Sequence, residues 1–147
     1  MYNCKIEESQ LKDRKLKITT LQGRVFRGKG VGHEFIGLTW VRRQINEKIG
    51  FDPYHGTLNI LLSRTEARHL KTILNKAKRI EITPERGFYK GWCVKVQLMN
   101  EIEAAIIIPE KTDYPSNVLE IIAPIYLRQA FSLEDGDALR VIVLLDN

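Results

Sequence analysis

The sequence predicts a small, mainly β domain that closes, or nearly closes, into a barrel with two or three short helices in its connections. Three observations carry that reading. About six or seven short runs rich in Val and Ile are bounded by Gly, Pro, Asp or Asn, as half-buried strands are. Helical periodicity occurs only in isolated places, with no βαβ alternation. The length of 147 residues and an apolar fraction of 44% suit one hydrophobic core. A sandwich is the alternative; closure is preferred because it removes exposed strand edges.

Taken in order, residues 1–15 are charged and lack apolar periodicity, which predicts a polar N-terminal arm, with the barrel domain over residues 16–147. "LKITTLQGRVF" alternates loosely and reads as a strand. "RGKGVGHEF" follows, with Gly28, Gly30 and Gly32 at alternate positions, and predicts a glycine loop leading into a second strand. "TWVRRQINEKIG" places Trp40, Val41, Ile45 and Ile49 on one helical stripe, with Thr39 as cap and Gly50 as terminator. After the strand "TLNILL", Ser63 and Glu66 have capping-box spacing, and Ala67, Leu70, Leu74 and Ala77 form the buried stripe of a second helix. "RIEI", "GWCVKVQLM", "EAAIIIP", "NVLEII" and "ALRVIVLL" complete the strands. "PIYLRQAF" is a short helix among them, and "LEDGDALRV" is a turn feeding the last strand.

Composition narrows function without naming it. A net charge of +5, from 23 basic and 18 acidic residues, suits a polyanionic partner, and a solvated basic surface equally. No window reaches the ~18 apolar residues of a membrane span, and the N-terminus has no signal-like stretch, so a cytoplasmic protein is expected. Cys4 and Cys93 have neither His nor Cys close by and read as free thiols. His55 and His69 lack ligand spacing and read as surface residues.

Three clusters can carry chemistry. In "GKGVGH", alternate glycines let backbone N–H groups approach a di- or triphosphate, with Arg27, Lys29 and His33 adding charge; a flexible hairpin loop fits the same letters. It is not a Walker loop, and without a helix directly behind it it is not a dinucleotide fingerprint. In "GFDPYHGTLNI", Pro53 and Gly56 constrain a turn, after which Thr57 and Asn59 project from one strand face. Two neutral oxygens so placed suit Mg²⁺, which prefers oxygen ligands and keeps waters or phosphates for its other positions, or they merely bond the turn. In "KTDYPSNVLEIIAPIYLR", Thr112, Asp113 and Tyr114 make a polar loop fit for an aromatic ligand. Glu120 is a lone acid in an apolar run, facing either solvent or a cavity, and Arg128 either meets phosphate or lies along a helix surface.

In this order the clusters resemble the CTP-dependent riboflavin kinases found chiefly in archaea. The resemblance runs through "GRVFRGKGVGHEF", "GFDPYHGTLNI" and "AIIIPEKTDYPSNVLEIIAPIYLRQAFSLEDGDALRV", from about Gly23 to the last strand, with "PYHGTLN" and "EIIAPIYLR" its most specific pieces. It implies a six-stranded cradle-loop β-barrel that transfers the γ-phosphoryl of CTP to the terminal ribityl hydroxyl of riboflavin, giving FMN and CDP. Carried over by residue, Gly28, Lys29, Gly30, Val31, Gly32 and His33 would wrap the nucleotide, and Ile125, Tyr126, Leu127 and Arg128 would form its second wall. Thr57 and Asn59 would ligate one Mg²⁺, Thr112 and Glu120 would bind the flavin, and Asn59 and Glu120 would be the catalytic pair, Glu120 orienting the hydroxyl or accepting its proton, with orientation preferred. Val31 departs from the acidic residue that members often carry there. The arm is too short for the N-terminal DNA-binding domain of some members, so neither nucleic acid nor membrane is an expected partner, and a monomer is expected. Two rival functions share the fold: a DNA-binding regulator with a swapped-hairpin barrel and an "L-x-D-G-D" turn, here Leu133 to Asp137, and a flavin-binding protein without turnover.

Overall fold

The computed structural model describes residues 17–28, 31–112 and 114–145; the arm, Cys4, Lys29, Gly30 and Asp113 lie outside the described residues, and the side chain of Val31 does too. The chain runs β1 (Ile18–Phe26), α1 (Val31–Ile36), α2 (Thr39–Lys48), β2 (Leu58–Leu62), α3 (Arg64–Lys76) and β3 (Ile80–Ile82). It continues through β4 (Gly91–Leu98), β5 (Ile102–Pro109), β6 (Val118–Ile122), α4 (Leu127–Ala130) and β7 (Ala138–Leu144).

Six strands close a ring in the order β1-β2-β6-β5-β4-β7, every pairing antiparallel. One edge of β4 is shared along its length. Ile80 to Ile82 of β3 pair with Cys93 to Gly91, and further on Val96 to Leu98 pair with Val143 to Val141 of β7. That second pairing closes the barrel and leaves β3 as a short appendage. The expected barrel of six strands is therefore the observed one.

Alternation along the strands builds two cores. Leu58, Ile60 and Leu62 of β2, Val94, Val96 and Leu98 of β4, and Leu139, Val141 and Val143 of β7 fill the barrel interior, which α3 closes with Leu70 and Ile73. Residues of opposite parity, Cys93, Ala105, Ile107 and Ile122, face outwards and would be wet without α1 and α2, which cover them with Ile36, Trp40, Val41 and Ile45. Each fully buried Leu or Ile here contributes about 1.5–3 kcal/mol of transfer free energy. No helix among the described residues is long and apolar enough to cross a membrane.

Helix α3 starts as its letters predict, with the Ser63 hydroxyl accepting from the Glu66 N–H (3.1 Å). The Glu66 carboxylate does not close the box; it accepts from the Gln22 N–H of β1 instead (2.6 Å). Helix α2 ends at Gly50, whose φ of +108° and N–H bond to the Ile45 carbonyl (3.0 Å) make the left-handed stop glycine allows.

Two expectations are corrected. The segment after the glycine loop is not a strand but α1, because a helical turn sends Ile36 and Phe35 inwards together, Phe35 edge-on to Trp40 with centroids 6.1 Å apart. The glycines are thus followed by a helix after all. Nor does Thr39 cap α2: the cap position is Leu38, with no side-chain bond, because the short link from α1 leaves Thr39 already inside the first turn.

Candidate functional site

The constrained turn before β2 is held from three directions. Arg42 of α2 donates to the Pro53 carbonyl (3.2 Å) and to Asp52 (2.7 Å), the Tyr54 N–H reaches the Ala123 carbonyl beyond β6 (2.8 Å), and the Gly56 N–H closes onto the Tyr54 carbonyl (2.8 Å). The turn sets the phase of the strand that follows. Because Leu58, Ile60 and Leu62 point into the barrel, Asn59 points out of it, as does Thr57.

Register then brings the polar residues together. Asn59 lies opposite Glu120 of β6 on one side and Phe26 of β1 on the other. Asn59 and Glu120, 9% and 8% exposed, are the only buried polar or charged side chains among the described residues. Burying either is costly without partners, so their adjacency calls for a ligand-binding account. Thr57 Oγ1 donates to Glu120 Oε2 across a long 3.4 Å, while Asn59 Oδ1 is buried with no hydrogen-bond partner among the described residues. Desolvation pushes the Glu120 carboxyl above its ordinary range, and the Thr57 hydroxyl partly opposes that shift.

The glycine segment lies over this group. A side chain at Gly28 would collide with the Asn59 carboxamide and the Tyr114 hydroxyl; a Cβ at Gly32 would come within 2.5 Å of Thr57 Oγ1 and 2.7 Å of Glu120 Oε2. Only glycine lets the main chain approach so closely. His33 fastens the segment to the turn, donating from Nδ1 to the His55 carbonyl (2.6 Å).

Two cavities flank the pair, Asn59 lining one and Glu120 the other. The first, about 370 Å³, is walled by Phe26, Arg27, Gly28 and His33, by the turn and Asn59, and by Ile125, Tyr126, Leu127 and Arg128. The second, about 490 Å³ and mainly apolar, lies between α3 and the strand ends, with Ile106 to Pro109, Thr112, Tyr114 and Leu119 on its walls and Glu120 at its boundary. Both have the size of small-molecule sites.

Most residues singled out by sequence thus gather here: Gly28, Gly32, His33, Thr57, Asn59, Thr112, Glu120 and Ile125 to Arg128. Gly32 stands against Thr57 and Glu120 rather than on the wall of the first cavity. Thr112 Oγ1 accepts from the Tyr114 N–H (3.1 Å), which shapes the loop of the second cavity. Arg128 is ion-paired with Asp135 (2.7 Å). Sequence reasoning did not find the α3 face of the second cavity, where Ala67 and Leu74 read only as core stripe. It also missed the stack of Tyr54 on Tyr126, with centroids 4.8 Å apart and planes 11° from parallel at the mouth of the first. His55, read as a surface residue, is exposed and also lines that mouth. The paired turn motifs gave no hint of either feature, because both arise from elements distant in sequence.

A closed β-barrel whose buried and adjacent Asn59 and Glu120 each line a cavity of small-molecule size defines the class of protein. Comparison with known proteins gives the family. The family model CTP-dep_RFKase, described as "Domain of unknown function DUF120", matches residues 25–143. Proteins named riboflavin kinase from Methanosarcina barkeri, Archaeoglobus fulgidus and Ignicoccus hospitalis are 40%, 40% and 39% identical to this chain over 95%, 85% and 86% of its length. The chain belongs to the CTP-dependent riboflavin kinase family. It spans 62%, 54% and 72% of the length of those three relatives.

Proposed function

We propose that this chain is a riboflavin kinase that uses CTP, moving the γ-phosphoryl group to the terminal ribityl hydroxyl of riboflavin and yielding FMN and CDP. The observation that carries the reading is the buried Asn59–Glu120 pair, one member lining each of the two cavities. The family and the names of its relatives support the same chemistry. CTP takes the first cavity, with its phosphates under the glycine segment, and riboflavin takes the apolar second cavity, with its ribityl chain directed at Glu120.

Phosphoryl transfer asks little covalent chemistry of a protein; it asks that the acceptor oxygen stand in line with the γ-phosphorus and that charge on the phosphate oxygens be offset. Glu120 accepts a hydrogen bond from the ribityl hydroxyl and so aims its lone pair. Its raised pKa makes it a better proton acceptor than an exposed carboxylate, but a loose transition state leaves orientation as the larger contribution. Gly28 and Gly32 admit the phosphates close to the pair.

The donor set fits a divalent ion. Asn59 Oδ1 is buried without a partner among the described residues, and Thr57 Oγ1, just before β2, lies against the neighbouring Glu120. Among the described residues no three His, Cys, Asp or Glu gather as a metal cage, so an ion here would rest on these two oxygens, water and phosphate. Mg²⁺ so held would supply charge neutralisation at the β- and γ-phosphates. Both cavities are built within one chain, which suits a monomer, and the substrates are metabolites of the cytoplasm, where we place the protein.

The test is incubation with riboflavin, Mg²⁺ and each of the four nucleoside triphosphates in turn, following FMN by chromatography. FMN formed with CTP in preference to the others supports the reading. Flavin binding without FMN would make the protein a carrier, and salt-sensitive DNA binding without FMN a regulator.

A further inference from the structure

The "LEDGD" turn has no part in the chemistry above, yet it is tied at both ends to the nucleotide cavity. Its Asp135 pairs with Arg128 through Oδ1 and Nη2 at 2.7 Å, and the Leu133 N–H returns to the Arg128 carbonyl (2.9 Å). On its other side Gly136 and Asp137 are bonded to β1: Gly136 N–H to the Val25 carbonyl (2.7 Å), Val25 N–H to the Asp137 carbonyl (2.8 Å), and Arg24 Nη1 to the Gly136 carbonyl (2.9 Å). Val25 is three residues before Gly28. The turn is kept rigid within itself, the Glu134 N–H donating to Asp137 Oδ2 (2.8 Å). Arg27 and Arg128 line the same cavity, and both also line the shallow depression that contains Asp135. Two guanidinium groups on one wall repel each other, and a carboxylate on one of them offsets that repulsion.

We propose that Asp135 is a positioning residue for the nucleotide: it holds the Arg128 guanidinium on the wall of the first cavity, in fixed relation to the glycine segment, with its remaining N–H donors free for phosphate. Asp135 itself touches no substrate. The Asp135 side chain is 57% exposed, so the pair contributes little to folding and its loss leaves the fold intact. The inference rests on the assignment of the first cavity to CTP.

Calorimetric titration of the full chain with CTP and Mg²⁺, without riboflavin, tests it. Asp135→Asn is expected to weaken CTP by roughly five- to tenfold, Asp135→Glu to restore most of that, and Asp135→Asn with Arg128→Ala to be no worse than Arg128→Ala alone. In turnover the loss should fall on the KM for CTP more than on kcat. Unchanged affinity in Asp135→Asn overturns the proposal. Tighter binding also does, since the pair would then be a latch that CTP must break, as do additive effects in the double variant. A wild-type protein that binds CTP but makes no FMN refutes the kinase reading and leaves this inference standing; one that binds no CTP refutes both.

Discussion

Replacing Gly32 by Ala probes the closest approach in the site. In a helix Ala is favoured over Gly by about 1 kcal/mol, so local propensity alone would make the variant more stable. The added Cβ, however, would lie 2.5 Å from Thr57 Oγ1, 2.6 Å from Thr57 Cγ2 and 2.7 Å from Glu120 Oε2. Rotating Thr57 gives no escape: a β-branched side chain fills two of its three staggered positions, so one of the two crowded positions stays occupied in any rotamer. Thr57 and Glu120 must therefore retreat by roughly 1 Å, a misplacement that costs on the order of 100-fold in rate when it falls on positioning groups. Overpacking costs about 1–3 kcal/mol and is partly offset by propensity, so the fold should survive with a modest fall in Tm. Steady-state FMN formation at saturating CTP and riboflavin measures the rate, and a thermal melt measures the fold. Gly37→Ala is the control, its Cβ meeting nothing nearer than 3.4 Å. Turnover of Gly32→Ala within threefold of wild type would refute the claim that the glycine segment packs on the Thr57–Glu120 pair.

Three further outcomes are expected. Asn59→Ala should lower Mg²⁺-dependent turnover by more than about tenfold while riboflavin still quenches on binding, since it removes a phosphate-side oxygen and no wall of the flavin cavity; equal turnover across a Mg²⁺ titration would remove Asn59 from the metal. Glu120 has a folded pKa raised by burial, so folding takes up protons: its contribution to stability is most favourable at low pH and is lost as pH rises through the raised value. Glu120→Gln should accordingly raise Tm near pH 7, with the gain shrinking as the pH falls through the raised value towards the ordinary carboxylate range, and a gain independent of pH would contradict the assignment. Burial pushes the Cys93 thiol up to about 12, so in the native protein it should resist iodoacetamide at pH 8 and react on unfolding, as peptide mapping would show; rapid native labelling would mean that the layer under α1 and α2 opens readily.

The turn at Pro53 to Gly56, the two oxygens after it, the Ser63 cap and the strand runs were legible because each is decided by near neighbours in the chain. Helix α1 was not. "VGHEF" carries β-branched and aromatic letters after a glycine run, and its helical state follows from Phe35 and Ile36 seating against Trp40 and the outer face of the barrel. Glu120 was left between solvent and cavity for a similar reason: periodicity shows that it lies opposite in phase to Leu119 and Ile121, but not that a glycine segment covers that phase.

By itself the sequence determined the kinds of element apart from α1, their order, and which side chains share a strand face, since backbone propensity and a period of two act over a few residues. Tertiary structure alone decided that β4 and β7 close the ring, that Thr57 meets a carboxylate 63 residues away, and that a cavity lies on each side of that contact, one lined by Thr57 and the other by Glu120. Those facts depend on which edges pair and in what register, a choice made by burying two faces of one sheet at once, and no short stretch of the chain contains it.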